Sequence, residues 1–167
     1  VMYLTFRYNN TIISDFIRRY NNLVCISEIR YTASMKITIL CVGKIKEKYL
    51  TDGVNDYFKR INKYHKFEII EVDDSIPSIE ETKIMKHIDN KDYVITLEIE
   101  GKNLSSPQFA DKLDNTFISH SNITFVIGGS YGLSNNIKNR SNYKLSFSNM
   151  TFPHGLFRLI FLDQLYR

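Results

Sequence analysis

The chain has 167 residues, 43% of them hydrophobic and 24% charged, with 22 Lys and Arg against 18 Asp and Glu for a net charge of +4. That balance excludes a disordered polar chain, and no run reaches the roughly 18 apolar residues of a membrane-spanning helix. Two cysteines, Cys25 and Cys41, are too few for a disulfide scaffold and lack a zinc spacing, so a cytoplasmic protein without a metal or a membrane segment is expected.

Residues 1–34 hold no sustained helical or alternating period. They do not read as a signal peptide, because Arg18 and Arg19 follow the apolar patch instead of preceding it. They are expected to be a poorly ordered extension ahead of a domain at 35–167. From Met35 the pattern becomes regular. Lys36–Val42 (KITILCV) predicts a buried strand closed by Gly43, and 47–62 sets Tyr49, Leu50, Val54, Tyr57, Phe58 and Ile61 at helical spacing. Phe67–Val72 predicts a second strand. Ser78 with Glu81 forms a capping-box signature for a short helix, and Tyr93–Ile99 predicts a third strand. Ser105 with Gln108, and Pro107 between them, start a helix carrying Phe109, Leu113 and Phe117. Strands at 122–129 and 143–148 follow, and a last helix runs from Pro153 to the chain end. Five short strands separated by helices predict an α/β fold, a mostly parallel sheet with helices on both faces.

Two segments could carry chemistry. Gly128-Gly129-Ser130-Tyr131-Gly132 follows the most apolar strand, where open α/β sheets bind ligands and glycines admit a close approach. A tight turn needing positive φ explains the same residues without any ligand. Leu145-Ser146-Phe147-Ser148-Asn149-Met150-Thr151-Phe152-Pro153-His154 turns from a strand into a helix start that could hold an anionic group; equally, Thr151 is an N-cap and His154 a solvated residue. The last helix is apolar on nearly every side, which suits a core or a subunit interface and leaves Arg158 and Gln164 conspicuous. Residues 101–167 carry seven basic and three acidic groups, a modest excess that fits a solvated face or a phosphate-binding one. The other histidines, His65, His87 and His120, are isolated in sequence and are expected at the surface.

Together, MKITILCVGKIKEKY, VITLEIEGKNLSSPQFA, FVIGGSYGL, RSNYKLSFSNMTFPH and RLIFLDQLYR resemble the RlmH family of the SPOUT superfamily. These are bacterial methyltransferases acting on N3 of a pseudouridine in large-subunit (23S) rRNA. The resemblance spans Met35 to Arg167. It implies a C-terminal trefoil knot, a homodimer, and S-adenosylmethionine (SAM) held by Leu97, Gly128 and the loop Phe147, Ser148, Asn149, Met150, Thr151 and Phe152. It further implies a substrate in the helix 69 loop of the assembled ribosome. A sulfonium methyl is already activated, so alignment with the nucleophile is the main task, and the imide nitrogen must lose a proton. His154 is the candidate base, and Arg158 the candidate group for positioning the substrate.

The chain departs from the family in three places. Residues 1–34 have no counterpart, and the segment between FEIIEV and DYVITLEI is short and lacks a usual Glu-Gly. The family also continues past LDQLYR into a basic tail. A C-terminally truncated domain is therefore expected, and the alternative is an inactive relative that folds and binds SAM or rRNA without turnover.

Overall fold

A computed structural model of the protein describes residues 35–167, so the expected extension at 1–34 lies outside the described residues. The strands are β1 (Lys36–Val42), β2 (Lys66–Val72), β3 (Tyr93–Asn103), β4 (Asn122–Ile127) and β5 (Tyr143–Ser146). Between and after them come the helices α1 (Lys48–Ile61), α2 (Pro77–Met85), α3 (Ser106–Ser119), α4 (Asn135–Arg140) and α5 (His154–Tyr166). The sheet has the order β2-β1-β4-β3-β5, and every pairing is parallel. The expected α/β class therefore holds.

Alternation along the strands divides the core between the two faces of the sheet. Ile37, Ile39 and Cys41 of β1, with Ile123, Phe125 and Ile127 of β4, meet Val54 and Ile61 of α1, Phe109 and Phe117 of α3, and Phe161 and Leu162 of α5. On the other face Leu40, Val42, Val94 and Val126 meet Ile84 of α2 and Ile137 of α4. Helices do cover both faces.

Three elements differ from expectation. α2 begins at Pro77 with Ile76 as its N-cap and no side-chain capping bond, because a proline preset for the first helical position places Ser78 inside the helix. Helix α4 (NNIKNR) was not anticipated, since six residues with one buried apolar group, Ile137, give no period to read. Pro153, not Thr151, is the N-cap of α5. At α3 the capping box forms as the sequence specified, with both the Ser105 and Gln108 bonds present.

Helix α5 lies against α1. The Tyr57 hydroxyl donates to Asp163 Oδ1 at 2.6 Å, and Ser106 Oγ donates to Gln164 Oε1 at 2.6 Å. Gln164 is thus used to tie α5 to the start of α3.

Burial pushes the Cys41 thiol up from 9.0 to about 12, with the nearby Arg158 charge pulling the other way. A thiol that ionises less readily in the folded state favours unfolding only once the unfolded thiol ionises. Its contribution is intact below pH 9 and is lost as the pH rises toward 12. Stability should fall by about 1.4 kcal/mol at pH 10 relative to a Cys41→Ala variant's own pH trend. Urea titrations at pH 8 and pH 10 check this.

Candidate functional site

β3, β4 and β5 are neighbours, so the segments leaving their carboxyl ends converge. Leu97 of β3 pairs with Leu145 of β5, and then Lys102 pairs with the same Leu145. Residues 98–101 therefore leave the ladder with β5 and return to it, forming a bulged excursion within β3. It closes at Gly101, where an added Cβ would lie 2.6 Å from the Leu145 carbonyl carbon. No other side chain fits that approach.

β4 ends at Ile127 and turns through Gly128–Gly132. Gly132 N–H donates to the Gly129 carbonyl at 3.0 Å, and Gly132 has φ 74, which suits glycine and few other residues. After β5, the Ser148 hydroxyl accepts from the Met150 N–H at 2.9 Å and folds the loop back. Phe147 points into the core against Phe109, Phe157 and Phe161, while Phe152 stacks on Phe157 with centroids 6.0 Å apart.

These three segments enclose a cleft of about 410 Å³. Of the residues anticipated for a cofactor, Leu97, Gly128, Phe147, Ser148, Met150, Thr151 and Phe152 line it. Asn149 is exposed and stands outside the lining. His154, at the start of α5, reaches the cleft and is exposed.

Arg158, expected to face substrate, is turned inward instead. Its side chain is 4% exposed, and Nη1 donates to Glu71 Oε1 at 2.6 Å. Nη2 donates to the Val42 carbonyl at 2.9 Å and to the Gly43 carbonyl. The cause is the carboxyl end of β1, whose last carbonyls, together with Glu71 of β2, satisfy the guanidinium where it is buried.

Sequence reasoning missed the charged groups of the cleft, Glu98, Glu100 and Lys138. The Glu98 side chain is 6% exposed, accepts from the Thr96 hydroxyl at 2.6 Å, and lies 3.4 Å from Lys138 Nζ. The available signal was a carboxylate interrupting the apolar run YVITLEI. A mostly apolar cleft of this size with a few fixed polar groups suits a nucleoside-sized ligand. Among the described residues no His, Cys, Asp and Glu group is arranged to hold a metal, and no helix is long and apolar enough to cross a membrane.

Comparison with known proteins matches residues 35–167 to a family model described as "Predicted SPOUT methyltransferase". The chain is 46% identical over 147 residues to the ribosomal RNA large subunit methyltransferase H of Clostridium botulinum, covering 80% of this chain and 92% of that protein. Identity to the protein of the same name from Streptococcus pneumoniae is 45%, with the same coverage.

Proposed function

This chain belongs to the SPOUT methyltransferase family, and on that premise we propose that it transfers a methyl group from SAM to large-subunit ribosomal RNA. In finer terms the target is N3 of a pseudouridine in the helix 69 loop, modified on the ribosome in the cytoplasm. The working unit is a homodimer, and its C-terminal part is threaded as a trefoil knot. The observation that carries the reading is a single cleft, built where three adjacent strands end, lined by seven of the eight positions that the family resemblance assigns to the cofactor.

The residues fit such a group. Leu97, Leu145 and Phe157 supply apolar walls, the glycine turn exposes backbone, and Glu98 offers a fixed acceptor. Bound SAM supplies an already activated methyl group. The chain's own task is to exclude water, orient the ligand and place an acceptor for the imide proton. His154 stands at the cleft and takes that role, and Arg158 holds α5 so that His154 stays there.

His154→Ala should slow methyl transfer about a hundredfold while leaving the SAM dissociation constant within about twofold. Calorimetric titration with SAM, paired with methylation of ribosomes lacking the modification, tests the whole reading. Binding with transfer supports it, binding without transfer points to an inactive relative, and no binding overturns the cofactor site.

A further inference from the structure

The excursion at 98–101 brings two carboxylates, Glu98 and Glu100, to the cleft against one ammonium, Lys138. Glu98 is nearly buried and held by Thr96 and Lys138, so its charge is fixed in place. Glu100 is exposed, and it has no hydrogen-bond or ion-pair partner among the described residues. Lys138 offsets Glu98 across 3.4 Å, which leaves one formal negative charge in surplus. His154 is the remaining titratable group at the cleft.

Resting on the reading that this cleft holds SAM, we propose that Glu98 and Glu100 make it selective for the sulfonium form of the cofactor over the thioether left after methyl transfer. In that transfer the bond from the methyl carbon to sulfur breaks, and its electron pair stays on sulfur. The ligand therefore loses one positive charge and one methyl group while keeping nearly the same shape. Apolar walls and hydrogen bonds to the nucleoside cannot tell the two forms apart. A surplus negative charge in a partly desolvated cleft can, because the sulfonium charge it attracts is present in one form only, while the α-ammonium and α-carboxylate are common to both and drop out of the difference. The consequence is retention of the reactant and easier release of the product.

The test measures dissociation constants for SAM and for S-adenosylhomocysteine by calorimetry on the full chain and on E98Q, E100Q and K138Q. Glutamine preserves the shape of glutamate, and the demethylated ligand reports whether the cleft remains folded. Each glutamate variant should lower the preference for SAM about threefold, weakening S-adenosylhomocysteine less than SAM. K138Q should raise that preference, and added salt should shrink the Glu100 effect.

Equal weakening of both ligands, an unchanged ratio, or a K138Q shift in the same direction as the glutamate variants would overturn the proposal. If E98Q disrupts the fold, E100Q and K138Q still decide it. A wild-type chain that binds neither ligand would overturn the cofactor reading and this inference with it, a result distinct from binding without discrimination.

Discussion

Replacing Arg158 by alanine is expected to cost about 3 kcal/mol of folding stability, near the low end for breaking a buried ion pair. The guanidinium joins three elements at once: its own helix α5, Glu71 of β2, and the Val42 and Gly43 carbonyls at the end of β1. Alanine leaves both carbonyls short of a donor in a place where water enters poorly. The cost stays near the low end because the Glu71 side chain is 37% exposed and can recover solvent. Arg158→Lys restores the charge but not the planar fork, so it should recover only part of the loss. Urea unfolding of these variants, of Glu71→Ala and of the Arg158→Ala/Glu71→Ala double variant measures the coupling. A wild-type midpoint for Arg158→Ala would show that these bonds contribute nothing to stability, and would free the guanidinium for a role at substrate.

That inward orientation was beyond reach of the sequence. His154 and Arg158 are four residues apart and so share a helix face, yet Arg158 is turned into the core while His154 stands exposed at the cleft. The direction of Arg158 is decided by acceptors at the ends of β1 and β2, more than eighty residues away in the chain. The cleft charges were hidden for a similar reason. Glu98 reads as an ordinary polar position at the edge of YVITLEI, and the break in the β3 to β5 register that takes it out of the ladder is not visible in the sequence.

Local signals fared better where one residue type has one strong physical use. Short apolar runs, β-branched in all but β5, located the five strands, and the Ser105–Gln108 pair located the start of α3. Both glycine turn and post-β5 loop were legible as segments, yet the sequence also allowed a plain tight turn for the first and an ordinary helix cap with a solvated His154 for the second. Their convergence on one cleft is a fact of topology, set by β3 lying between β4 and β5. Short polar elements stayed invisible: α4 has one buried apolar residue, and the end of β3 (EGKN) has no alternation.

The register break makes Gly101 the most sensitive backbone position of the site. A Cβ there would sit 2.6 Å from the Leu145 carbonyl carbon, 2.8 Å from Leu145 N and 2.8 Å from the Lys144 carbonyl carbon. All three atoms are backbone, so no change of rotamer relieves the contact. Either the strands separate or the excursion shifts. Gly101→Ala should therefore lose about 3 kcal/mol, at the upper end for overpacking, because the strain falls on main chain instead of on adaptable side chains. Gly43 provides the control. It has φ 81 with nothing within 4 Å of an added Cβ, so Gly43→Ala meets only the left-handed backbone penalty of about 1 to 2 kcal/mol. Function should separate the two variants further. Parting the Lys102–Leu145 and Asn103–Ser146 pairs displaces Glu98 and the floor of the cleft, so residual folded Gly101→Ala should bind SAM poorly. Folded Gly43→Ala, altered at a residue that does not line the cleft, should bind it normally. Equal stability of the two variants with equal SAM affinity would mean that the β3 to β5 contact yields freely, and that the excursion is not the rigid wall on which the cleft depends.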